Sequence, residues 1–246
     1  MSLDYEMNGI FPVPIYFTKL KKFTDMELKV IRLMENQSAK NMGNSRSDDT
    51  FVLKSKHFEN IRKQLMSQVK QYFDNVICTS DKIVPYITQS WINYTREGEY
   101  HHSHAHPNSL ISGVLYIDAN KDNDKILFEK RGYHRIALTV KDYNLYNSDS
   151  WFFPVQTGDL LIFPSETQHK VEFKKGNNVR TSLSFNVFVK GNLGNLRDGT
   201  PLTIGKEKEL KSLTILSNQL SFCLLITSSF SKLSITLFCD KLMVEN

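Results

Sequence analysis

Cysteine is scarce in this chain: Cys78, Cys223 and Cys239 are its three copies. Their number is odd and their spacing matches neither a disulfide framework nor a cysteine metal knuckle, which argues against a stapled secreted fold and suits a reducing compartment. The segment Met1-Ser2-Leu3-Asp4-Tyr5-Glu6 has no basic stretch leading into an apolar run. No secretory signal is therefore read, and the cytoplasm is the expected location. A strong charge of one sign is lacking too, since 31 Lys and Arg against 26 Asp and Glu leave a formal charge of +5. The basic runs at 19–22 and at Lys174-Lys175 are short, so they are read as solvated surface, and no nucleic-acid partner is expected. Long apolar runs are also missing. Residues 212–231 carry no charge, but half of them are Ser, Thr, Asn or Gln. A membrane span needs about 20 mostly apolar residues, so this stretch is too polar for one and membrane attachment is not expected. Behind the polar linker 191–211 it reads as an appended segment outside the functional domain.

Hydrophobic residues at 40% and charged residues at 23%, with 16 Phe and 10 Tyr, describe a globular chain with one sizeable core leaning toward β structure. Residues 10–17, with Pro12 and Pro14, read as an edge strand, because proline deletes ladder donors. Thr24-Asp25-Met26-Glu27 matches a capping box, followed by Leu28, Ile31 and Met34 at helical spacing. Residues 36–50 are polar and read as a surface loop. Phe58, Ile61, Leu65, Val69, Phe73 and Val76 then recur with the period of a second helix running through residue 77. From Ile83 onward the rhythm changes to short β-branched and aromatic runs. Strands are expected at 86–94, 100–106, 110–118, 125–130, 159–164, 168–174 and 180–189. The predicted fold is mainly β, a double-stranded β-helix or jelly roll with two supporting N-terminal helices. The expected organisation is 1–80 for the strand and helices packed on the barrel, 81–192 for the jelly-roll core, and 193–246 for the linker and appended segment.

Four of the seven histidines fall within His101-His102-Ser103-His104-Ala105-His106. Neutral imidazole is the commonest metal ligand, and residues two apart on a strand share a face. Strict alternation therefore places His102, His104 and His106 on one side. His169, in Phe163-Pro164-Ser165-Glu166-Thr167-Gln168-His169, can supply a third nitrogen from a neighbouring strand. The blander alternative is a row of exposed or hydrogen-bonded sheet histidines. In Arg180-Thr181-Ser182-Leu183-Ser184-Phe185-Asn186-Val187, alternation puts Arg180, Ser182, Ser184 and Asn186 on one face and Leu183, Phe185 and Val187 on the other. An arginine on the inward face of a barrel calls for an anion, and its planar fork suits a carboxylate. Otherwise it would form a surface ion pair with Glu166 or Glu172.

In order and spacing these fragments, with Trp91-Ile92-Asn93-Tyr94 and Gly98 before the histidines, Ile111-Ser112-Gly113-Val114-Leu115-Tyr116-Ile117 after them, and Gly158-Asp159-Leu160-Leu161-Ile162-Phe163-Pro164-Ser165, resemble the Fe(II)/2-oxoglutarate-dependent oxygenases over residues 8–192. The prolyl-4-hydroxylase-like branch is the nearest in pattern. The resemblance implies His104, His106 and His169 as iron ligands, with His102 and His104 as an alternative pair. It implies Arg180 and Ser182 on the far carboxylate of 2-oxoglutarate, with Asn93 or Tyr94 also touching the cosubstrate, and ascorbate as an accessory cofactor. Such an enzyme would hydroxylate an unactivated carbon of a small molecule or peptide and release succinate and CO2. Most members carry a carboxylate two residues after the first histidine ligand, as part of a 2-His-1-carboxylate triad. Here that position is His106. Two other readings stand beside this one: a three-histidine zinc enzyme of hydratase type, which would leave Arg180 without an anion, and a noncatalytic jelly-roll binding module. The residues identify neither the primary substrate nor the oligomeric state.

Overall fold

The computed structural model describes residues 6–20, 22–132, 136, 138–195, 197 and 199–205. The chain divides into two compact units, Met1–Leu202 and Thr203–Asn246. The polar segment 212–231, Cys223 and Cys239 lie outside the described residues.

The strands of the first unit are β1 (Tyr16–Lys19), β2 (Ala39–Lys40), β3 (Ser45–Arg46), β4 (Lys82–Thr95), β5 (His101–His104), β6 (Ile111–Asp118), β7 (Lys125–Glu129), β8 (Ser150–Pro154), β9 (Asp159–Pro164), β10 (Gln168–Val171) and β11 (Arg180–Leu193). Two helices, α1 (Asp25–Glu35) and α2 (Glu59–Tyr72), precede β4. One sheet runs β1-β9-β6-β11-β4-β3-β2 and the other β5-β10-β7-β8, with antiparallel pairing between neighbouring strands. This is the expected mainly β, jelly-roll arrangement with helices on one outer face.

Side-chain alternation sorts the larger sheet into two surfaces. Ile92 and Tyr94 of β4, Leu115 and Ile117 of β6, Leu160 and Ile162 of β9, and Leu183, Phe185 and Val187 of β11 join Ile31 of α1 and Ile61, Leu65 and Val69 of α2 in one core. Each fully buried aliphatic or aromatic side chain there contributes about 1.5–3 kcal/mol of transfer free energy. Val114 and Tyr116 of β6 and Leu161 and Phe163 of β9 point the other way, meeting Ile126 and Phe128 of β7 in a second core between the sheets. Gly113 is required where it stands: a Cβ there would lie 2.2 Å from Phe185 Cζ. The Phe185 ring thus occupies the space that a side chain at 113 would need.

The capping box at α1 is present as expected, and it does more than cap. The Glu27 carboxylate accepts from the Thr24 amide at 2.8 Å, and also from the Ile61 amide at 2.8 Å and Asn60 Nδ2 at 2.9 Å at the start of α2. Burial pushes the Glu27 pKa up, but these hydrogen bonds outweigh it and hold it below the ordinary value.

Four expectations change. The first strand forms at Tyr16–Lys19 rather than over 10–17, because Pro12 and Pro14 cannot donate to the ladder; it is an edge strand all the same. The polar stretch 36–50 is not simply a surface loop: β3 pairs with β4 and β2 with β3, and the buried Ser47 donates its amide to the Ile92 carbonyl at 2.7 Å while its hydroxyl accepts from the Ile92 amide at 3.0 Å. The second helix widens into a π turn over Phe73–Ile77 and ends at Cys78 with φ of 50°, which leaves Val76 exposed rather than packed. Finally, β8 forms at Ser150–Pro154, where no strand was expected, and β11 runs on to Leu193.

Candidate metal centre

The polar end of the space between the sheets gathers side chains from five segments. His104 ends β5, His106 lies in the turn just beyond it, and His169 sits on β10 directly opposite His104 in the ladder. One ring nitrogen from each of these three histidines lies within 4.8 Å of the others. His104 Nδ1 is 2.8 Å from the His102 carbonyl oxygen, and His169 Nδ1 is 2.9 Å from that of Thr167. A carbonyl only accepts, so in the neutral rings these nitrogens carry the proton and Nε2 keeps its lone pair free for a metal.

Burial lowers the proton affinity of the whole group. The pKa of His169 falls to about 3 and that of His106 to about 4, chiefly because burial disfavours the charged ring and secondarily because the neighbouring His104 repels a second positive charge. His104 is lowered by burial as well. Neutral imidazoles are the metal-binding form, so the cluster is ready for a cation at neutral pH. With three nitrogen donors and no thiolate, the set fits a divalent first-row metal such as Fe(II) or zinc.

Alternation along β5 predicted His102 beside His104. Instead, the register shifts between the pairs His169↔His104 and Val171↔His101, so two residues of β5, His102 and Ser103, face the single Lys170 of β10. This bulge turns His101 into the pocket, where its ring stacks on His104 with centroids 4.5 Å apart. His102 lies with its ring 5.1 Å from that of His104 but does not line the pocket; its carbonyl holds His104, and its own Nδ1 is buried without a partner. His101 was missed because a bulge leaves no trace in an alternating pattern. Its pKa falls to about 3, again mainly through burial.

Arg180 opens β11 on the same pocket and is 3% exposed. Its Nη2 donates to Thr95 Oγ1 at 3.1 Å, while Nε has no partner. Neither glutamate suggested as a surface partner takes it up: Glu172 pairs with Lys125 at 2.8 Å, and among the described residues no carboxylate forms an ion pair with Arg180. Ser182 and Asn93, opposite each other in the β4–β11 register, also line the pocket. Asn93 Nδ2 donates to Ser184 Oγ at 3.1 Å, and its Oδ1 is buried without a partner. Tyr94 does not reach the pocket. It occupies the opposite face of β4 in the helix-side core, where its hydroxyl donates to the Ile31 carbonyl at 2.7 Å. Parity along the strand allows only one of Asn93 and Tyr94 inward, and it is Asn93.

Residues 89–186 match the family model described as "Putative 2OG-Fe(II) oxygenase". The matched stretch contains Asn93, His104, His106, His169, Arg180 and Ser182. Over this stretch the chain is thus similar to the 2OG-Fe(II) oxygenases. Among solved structures it is similar to an oxidoreductase of this family from Burkholderia pseudomallei, with 15% identity, 70% of this chain and 84% of that chain covered, and a TM-score of 0.48. It is also similar to HygX from Streptomyces hygroscopicus with nickel, 2-oxoglutarate and hygromycin B bound, at 10% identity, 71% and 82% coverage and a TM-score of 0.48. A third is a prolyl hydroxylase from Trichoplax adhaerens in complex with a hypoxia inducible factor peptide fragment, at 15% identity, 71% and 83% coverage and a TM-score of 0.47. Comparison with curated proteins gives no match. Among the described residues, no helix is long and apolar enough to cross a membrane.

Proposed function

We propose that the protein is an Fe(II)- and 2-oxoglutarate-dependent hydroxylase in which His104, His106 and His169 hold the ferrous ion, and Arg180 with Ser182 binds the far carboxylate of 2-oxoglutarate. The observation that carries this reading is a charged guanidinium, buried and with no ion-paired carboxylate among the described residues, in the same pocket as three converging imidazoles. Leaving such a charge unpaired costs several kcal/mol, a cost that a bound dicarboxylate would offset. A zinc hydratase would leave Arg180 with no anion to bind, so the arginine favours the oxygenase.

When bound, iron with 2-oxoglutarate supplies the oxidising power to hydroxylate an unactivated carbon, with succinate and CO2 as products. The protein's own contribution is to bind and orient. Arg180 and Ser182 would fix one end of the cosubstrate, and Asn93, with a free acceptor and an amide already tied to Ser184, would contact it along its length. The apolar second core beneath, with Val114, Ile126 and Phe163 in the pocket wall, excludes water from the closed end. No side chain is assigned as a general base. The primary substrate, a small molecule or a peptide, would enter from the open end, and a cytoplasmic location remains part of this proposal.

The test is to purify the protein anaerobically without a histidine tag, load it with Fe(II), and follow conversion of 2-oxoglutarate to succinate. Iron-dependent succinate formation that disappears in Arg180→Met, with iron binding retained, is the expected result. Stoichiometric zinc with no succinate formed would overturn the proposal.

A further inference from the structure

The three clustered histidines are not held alike. His104 and His169 are each oriented by a hydrogen bond from Nδ1 to a backbone carbonyl two residues earlier in the chain. His106 has its backbone amide anchored to the Ser165 carbonyl at 2.9 Å, but its ring makes no such bond. What its ring does meet is Trp91, with centroids 5.6 Å apart and planes inclined at 44°, together with the edges and faces of His104 and His169. Trp91 lies on the inward side of β4, in register with Ser184 of β11, so its position is fixed by the sheet and not by a loop. His106 is also the residue at which this chain departs from the carboxylate that the resemblance leads one to expect.

From these observations we infer that Trp91 is the positioning residue for His106, with its indole serving as the wall that sets the imidazole plane in place of a hydrogen bond. A carboxylate at 106 would reach a cation with either of two equivalent oxygens and would need no such wall. A neutral imidazole has one usable lone pair, in the ring plane on its unprotonated nitrogen, and a swing of the ring loses the ligand. The inference rests on the metal site proposed above.

The test uses full-length, metal-stripped protein and Co(II) alone, with affinity measured calorimetrically. Groups that orient metal ligands are worth about 10- to 100-fold in metal affinity, and Trp91→Ala should weaken Co(II) binding by that factor. Trp91→Phe, which keeps an aromatic wall, should restore affinity to within about threefold of the parent. The decisive comparison is a double-mutant cycle. In the background of His106→Asp, the same Trp91→Ala change should alter affinity by less than about threefold, because the carboxylate does not depend on the indole. Trp151 is the second of the two tryptophans, so in Trp151→Phe the remaining emission reports Trp91, and Co(II) should quench it with the calorimetric midpoint. Equal weakening by Trp91→Ala with His or Asp at 106, failure of Phe to rescue a variant of unchanged melting temperature, or absence of quenching would each overturn the inference. Loss of all Co(II) binding in the parent protein would overturn the metal site and the inference together, whereas binding that ignores Trp91 would overturn only the inference.

Discussion

The two faces of β11 are made from one run of residues and do opposite work. Leu183, Phe185 and Val187, all fully buried, lock the sheet to the helices. Arg180, Ser182 and Ser184, one step out of phase, put a charge and short polar groups into the pocket, and Asn186 beyond them accepts from the Ser112 hydroxyl. The outer face follows the ordinary logic of apolar burial, whereas the inner face keeps a cation that a purely structural interior would exclude. The contrast teaches that one strand can carry apolar burial on its helix-facing side and a buried charge with polar groups on the other.

The contrast predicts different failures for the two faces. The largest is acid sensitivity of the inner face. Unfolded histidines take up protons below about pH 6.5, while folded His101, His106 and His169 resist protonation down to about 3 to 4. The unfolded state therefore binds more protons across that window. The stability of the metal-free protein should be fully present above pH 6.5 and decline steadily as the pH falls to 4, as thermal denaturation against pH would record. Next, Phe185→Ala on the outer face should cost about 3–5 kcal/mol in urea denaturation, with the metal site unchanged in the surviving folded protein. Arg180→Met should do the reverse, raising the dissociation constant for 2-oxoglutarate by about 30-fold or more while leaving the apo protein as stable or more so. A marked loss of apo stability there would break the comparison. The smallest effect is expected away from both faces. Glu27→Gln removes the charge that four groups share between α1 and α2, and it should cost about 1–3 kcal/mol without affecting ligand binding.

Much of this was legible in advance because alternation and capping are local. The parity of β11, the helix cap at Thr24 and the starts of β10 and β11 depend on neighbours in sequence and stand as expected, whereas β5 and β10 stop short of 106 and 174 and β11 runs past 189. The pairing of His104 with His169 was legible only as a possible meeting of two strands; the ladder itself is a long-range fact. What escaped has a physical reason in each case. The β5 bulge exchanged His102 for His101, and nothing local encodes that extra residue. Tyr94 was retained beside Asn93 although their opposite parity admits one inward residue. The short strands β2, β3 and β8 carry polar or mixed residues whose pairing follows from the edge they meet, not from their own pattern.

One serine binds the two distant parts of the cluster into a single mechanical unit. Ser165, wholly buried, receives the His106 amide on its carbonyl, gives its own amide to the Leu110 carbonyl, and shares its hydroxyl with Ser109 and Ser112, each at 2.8 Å. It stands four residues ahead of His169. The turn bearing the second imidazole and the turn leading to the third are therefore bolted to the same post, so neither can drift without dragging the other. A cation held there would meet jaws already set at their spacing, and its removal should leave both amides equally shielded from exchange with solvent.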